Sequence, residues 1–140
     1  MKKLLWIVVL VAVAYGAFHR QESPIVQGAP PAVPSEARLG PEASGTQVHG
    51  SGIVTRILSE DDEGSRHQRF VLQRPSGQTL LIAHNIDLAP RLAGLREGDT
   101  VEYYGEYQWN AQGGVVHWTH RDPAGRHAAG WLKHAGRTFQ

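Results

Sequence analysis

From Val48 to Thr119, apolar and polar residues alternate with a period of two, broken at short intervals by glycine, proline and acidic turns. Successive side chains of an extended strand point to opposite faces, so this period commits the segment to β-sheet with one buried face. Five strands are predicted. The first is Val48–Leu58, whose Gly50 and Gly52 suggest a bulge or a tight bend. After an acidic turn comes Arg66–Arg74, with Phe70 and Leu72 two apart. Pro75-Ser76-Gly77 then supplies a hairpin turn into Gln78–His84. Closing that hairpin pairs Gln73 with Thr79 and sets Gln68 opposite His84. Ile86–Leu95 is irregular, with room for one helical turn stopped by Pro90. In the fourth strand, Thr100–Trp109, Val101, Tyr103 and Tyr107 alternate with Glu102, Glu106 and Gln108. Residues 110–114 form a hairpin loop leading to the fifth, Val115–Thr119.

Five strands with a small irregular element before the fourth and a final hairpin fit an all-β domain, a small five-stranded OB-like barrel. Closure would remove exposed sheet edges. A five-stranded SH3-like barrel or an open meander satisfies the same strand count. Beyond Thr119, Asp122-Pro123-Ala124-Gly125 is a turn signature, and Gly130 and Gly136 interrupt any long helix. Trp131 and Leu132 are nevertheless apolar, so this stretch reads as a docked, irregular C-terminal tail.

Upstream of the alternating region the composition changes twice. Residues 1–19 carry Lys2-Lys3 and then run from Leu4 to Phe18 without a charge. That is the make-up of an export signal, with Ala12-Val13-Ala14 suited to cleavage. Retained, the same segment would be an N-terminal membrane anchor, although it is shorter than the ~20 residues a spanning helix prefers. Residues 20–45 hold five prolines and no periodic apolar pattern, as a flexible linker does. The barrel domain is then expected over 46–140, in the periplasm, either secreted or held at the inner membrane.

The chain has no cysteine, which excludes disulfides, thiolate ligands and a cysteine nucleophile. From Thr46 onward, ten Lys and Arg balance ten Asp and Glu. Without a basic footprint, nucleic acid is disfavoured as a partner. P-loop, dinucleotide and GxSxG signatures are not matched.

Two clusters can carry chemistry. Four of the eight histidines, at 117, 120, 127 and 134, lie close together in the tail region. On a strand His117 and His120 would point to opposite faces, so they can act together only if the strand ends or bulges at Thr119. His120, Asp122 and His127 form the candidate metal set, with N and O ligands suited to zinc or another divalent ion. The competing reading is a tail pinned by hydrogen bonds among those groups. The second cluster is at the end of the second and third strands remote from their turn. His67, Arg69, His84 and Asn85 collect there, with Asp87 and Arg91 just beyond, as candidate ligand-binding residues. Tyr104, Trp109 and Trp118 suit either stacking platforms or ordinary sheet packing.

The blocks HGSG (49–52), HQRFVL (67–72), GQTLLIAHNIDLAPR (77–91), GDTVEYYGEY (98–107) and GGVVHWTHRDPAGRHAAGWLKHAGR (113–137) resemble a bacterial family, Domain of Unknown Function 3465. The resemblance spans residues 47–140. It implies a small exported or anchored bacterial protein and brings no activity with it.

Three functional expectations follow. The first is an envelope binding module that takes a small molecule or an envelope protein, with the tail histidines as a second wall. The second is a metal-dependent hydrolase of the phosphodiesterase or nuclease type, built on His120, Asp122 and His127, with the divalent ion as its only candidate cofactor. The third is a structural envelope module whose histidines only pin the tail.

Overall fold

The computed structural model describes residues 37–140. The expected signal or anchor, and the expected linker as far as residue 36, lie outside the described residues. Seven strands follow a short 3-10 turn at Pro41–Ala43: β1 (Gln47–Ile57), β2 (His67–Gln73), β3 (Thr79–Asn85), β4 (Thr100–Gln108), β5 (Val115–His117), β6 (Trp131–His134) and β7 (Arg137–Phe139). The first five close on themselves. β1 pairs with β2, β2 with β3, β3 runs parallel to β5, β5 pairs with β4, and β4 returns to β1. This is the expected all-β, OB-like five-stranded barrel. An open meander would lack the β1–β4 return, and successive hairpins cannot make the parallel β3–β5 pair.

The period-2 pattern sets which residues fill it. Phe70, Leu72, Leu80, Ile82, Val101, Tyr103, Tyr107 and Val116 all face inward and are fully buried, joined by Leu132 from β6. Each such side chain contributes roughly 1.5–3 kcal/mol of burial. β1 serves two partners, Gln47–Ile53 pairing with β4 and Ile53–Ile57 with β2. Its register shifts between Val54 and Arg56, just past the two glycines.

Polar side chains stopper both ends of the barrel. At one end Gln78 holds Leu39 by two hydrogen bonds, accepting its N–H (2.8 Å) and donating to its carbonyl (2.9 Å). Arg74 donates to the Ala37 carbonyl at 3.0 Å. Leu39 and Ala43 also lie against the core, so the folded domain begins upstream of Thr46. At the other end Gln68 binds both backbone groups of Leu92, donating to its carbonyl (3.1 Å) and accepting its N–H (2.9 Å). This ties down the β3–β4 connection, whose one helical turn runs from the Asn85 carbonyl to the Ala89 N–H and stops at Pro90.

The tail docks, and its end is regular. β6 pairs with the first half of β4 outside the barrel, and β7 pairs with β6. Ala135 (φ 48°) and Gly136 (φ 74°) make the hairpin turn between them. Only residues 118–130 are irregular. β5 ends two residues earlier than the alternation predicts, because Trp118 adopts a left-handed backbone (φ 54°) and turns the chain off the sheet.

A candidate binding groove on the outer face

Alternation sends His67 and Arg69 of β2, Ala83 and Asn85 of β3, and Val115 and His117 of β5 to the outside of the barrel. Arg69 is the direct cross-strand partner of Ala83, and His67 of Asn85. Ala83 is thus a small residue in a row of large ones, and the sheet surface dips over it. Two clefts, of about 180 and 360 Å³, open there and share His67, Ala83 and His117. Asn85, Leu88, Trp118 and His120 complete the first. Asp61, Arg69, Gln108 and Val115 complete the second. Together they form one groove with an apolar floor and polar rims.

Because β5 stops at His117, the left-handed turn at Trp118 swings His120 to the same cleft as His117. Two glycines allow this close approach. A Cβ on Gly105 would collide with the His117 carbonyl, and one on Gly130 with the carbonyls of Trp118 and Tyr104. The His120 Nδ1–H donates to the Arg121 carbonyl at 2.7 Å. Arg69 is anchored through Nε to the Ser59 carbonyl (3.1 Å). Asn85 accepts the Asp87 N–H on Oδ1 (2.9 Å), leaving its amide NH₂ as a donor.

Behind the Trp118 wall lies a charged cluster. One Glu106 oxygen receives the His127 Nε2–H at 2.5 Å; the other receives Gln108 Nε2–H at 2.7 Å and lies 3.7 Å from His117 Nε2. The His127 Nδ1 faces the Ala128 carbonyl at 2.9 Å. Both nitrogens of His127 therefore face acceptors, the arrangement of an imidazolium. Its pKa is raised, chiefly by the bond to Glu106, and that of Glu106 is lowered by the same bond. The His127 ring also stacks on Trp118, centroids 4.1 Å apart and planes 9° from parallel, the placement of a cation on an indole face. His117 has the opposite tendency. Burial holds its pKa down, and its buried Nε2 has no hydrogen-bond partner among the described residues.

Of the sequence-predicted ligand residues, the structure brings His67, Arg69 and Asn85 to the groove. His84 is elsewhere: it faces inward and is fully buried. Its Nε2–H donates to the Pro90 carbonyl (3.0 Å) and its Nδ1 accepts the Thr119 hydroxyl (2.8 Å). Burial pushes its pKa down to about 4. Asp87 and Arg91 are taken up by ion pairs, with Arg66 (2.9 Å) and Glu60 respectively.

His120, Asp122 and His127 do not assemble as a ligand set. Both Asp122 oxygens accept backbone amides, from Ala124 (2.9 Å), Arg126 (2.8 Å) and His127 (3.0 Å). Among the described residues no group of three His, Cys, Asp or Glu is placed to hold a metal ion. The fourth tail histidine, His134, binds Asp99 at 2.8 Å. Glu106 is the residue whose importance sequence reasoning missed, and Trp118, a candidate stacking platform by sequence, stacks on His127. The outward register of Glu106 beside β5 was the available signal.

Fold and groove define a class: a closed OB-like barrel with an added tail hairpin and a histidine-rimmed groove on its outer face. Residues 37–140 match the family model described as Protein of unknown function (DUF3465). The chain belongs to that family. No curated protein matches it.

Proposed function

We propose that this domain is a binding module of the bacterial envelope, carried there by residues 1–19, and that the groove over Ala83 receives a small organic ligand. The observation that supports this reading is the groove itself. Its apolar floor is ringed by convergent polar groups (His67, Arg69, Asn85, His117 and His120), whereas Gln68 and His84, the inward neighbours on the same strands, are hydrogen-bonded inside the barrel. Apolar pockets with a few placed polar groups are the usual form of small-molecule sites. Arg69 and the Asn85 amide supply donors on the rim, suiting a ligand with an apolar body and an acceptor group such as a carboxylate.

NMR titration of the full-length chain with benzoate, indole and benzamidine tests this. The expected result is that shift changes concentrate at Ala83, Asn85, His117 and His120, with benzoate strongest and weakened severalfold by Arg69→Ala. Perturbations scattered over the surface, or concentrated on the Tyr104–Trp131 face, would sink the proposal.

A further inference from the structure

The inference rests on the groove reading and concerns its control. We propose that His127, clamped between Glu106, the Ala128 carbonyl and the Trp118 ring, is a proton-operated latch that holds the Trp118 wall of the groove in place. Three geometric facts carry it. First, the two ring nitrogens of His127 both face oxygen acceptors, and only the doubly protonated ring can donate to both. Second, Trp118 is a non-glycine residue held at φ 54°, a conformation that costs energy and persists only where its surroundings enforce it. The stacked His127 ring lies directly on that indole. Third, Trp118 lines the smaller cleft, so whatever fixes the indole fixes the wall.

The groups that face His127 favour its proton. Glu106 approaches from β4, oriented by Gln108, and the Asp122 carboxylate sits on its own loop and accepts its backbone amide. His117 approaches from β5 and opposes a second charge, since it shares Glu106 and is half-buried. The Arg126 side chain belongs to the same loop and acts on Asp122. When the pH rises and His127 gives up its proton, one nitrogen presents a lone pair to an oxygen. The ring must then release either Glu106 or Ala128. The cation–indole attraction goes with it, and Trp118 is freed to leave its left-handed turn. The wall is closed on the acid side of the His127 titration and loose on the alkaline side.

Ligand-free NMR of the full-length chain tests the latch independently of whether any ligand binds. The Trp118 indole N–H signal, assigned with Trp118→Phe, is followed through a pH titration beside the ring signals of all the histidines. The expected result is one shared midpoint for His127 and Trp118, above that of an ordinary imidazole. In Glu106→Gln both midpoints move down together. In His127→Asn the Trp118 transition is lost while the barrel signals remain. A Trp118 signal that ignores pH, follows His117 or His120 instead, or keeps its transition in His127→Asn overturns the latch. If the latch holds and the fragments still fail to collect in the groove, the binding reading fails alone.

Discussion

The two faces of the β2–β3 corner carry the same residue types and put them to opposite use. Inside, Gln68, His84 and Thr119 bond to one another's neighbours until their polar groups are engaged: Gln68 with Leu92, His84 with Pro90 and Thr119. Outside, one residue along each strand, His67 and Asn85 rim an open groove with His117 and His120. At this corner an imidazole is a buried structural bolt or a groove-lining group according to the parity of its position. The inner set is neutral because burial forbids charge. Beside the outer set, the Glu106 carboxylate raises the pKa of His127.

The most damaging way to probe that contrast is His84→Ala. It removes a fully buried ring, leaves the Thr119 hydroxyl and the Pro90 carbonyl without their partner, and opens a void in the interior. Losses of this kind cost about 3 kcal/mol, whereas His67→Ala on the outer face is expected within about 0.5 kcal/mol of the parent. Urea unfolding of both variants is the measurement. Equal losses would erase the distinction between the faces.

A somewhat smaller effect comes from acid. The folded-state pKa of His84, about 4, lies below the 6.5 of an unperturbed imidazole. The unfolded chain therefore binds the proton first, and stability present above pH 6.5 is lost as pH falls from there towards 4. At about 1.36 kcal/mol per unit, roughly 2 kcal/mol has gone by pH 5. His127 works the other way. With its pKa raised, its contribution is complete below the ordinary imidazole value and is lost as pH rises through the folded one. Unfolding free energies measured from pH 4 to 9 should pass through a maximum. His84→Gln should flatten the acid limb and His127→Asn the alkaline one; a single variant that flattened both would show that the two histidines are not independent.

Much of this was legible in the chain. The alternation located all five barrel strands to within about two residues, and the Pro75-Ser76-Gly77 turn fixed the Gln73–Thr79 and Gln68–His84 register that the structure has. That register already contained the correct parity for His84, which shares a face with Leu80 and Ile82. Proximity at a strand end groups it with His67 and Asn85, whereas facing separates it from both. Trp118 was beyond reach. Nothing in a tryptophan favours positive φ, so the alternation runs on to Thr119 and places His117 and His120 on opposite faces. The ion pairs that occupy Asp87 and Arg91 join separate loops, and loop-to-loop distances are not written in periodicity. The β6–β7 hairpin hides behind Ala135-Gly136, a weaker turn signal than Asn-Gly.

The smallest stability effect offers the sharpest test of the outer face. Arg69 hangs by a single Nε–H bond to the Ser59 carbonyl, at the surface, on a strand whose inward neighbours Gln68 and Phe70 hold the fold. Arg69→Ala forfeits that one solvent-exposed bond, so the unfolding free energy is expected to stay within about 0.5 kcal/mol. The same change removes a guanidinium from the groove rim, and a carboxylate-bearing fragment should feel it far more than the fold does. Arg69→Lys separates charge from geometry. An ammonium keeps the charge and loses the planar fork, so benzoate binding that survives in the lysine variant would assign Arg69 a steering charge, and binding lost in both variants would assign it a bidentate contact. A large loss of stability in Arg69→Ala would place this side chain with the inner set instead, and the rule of parity would fail at the residue where it is easiest to check.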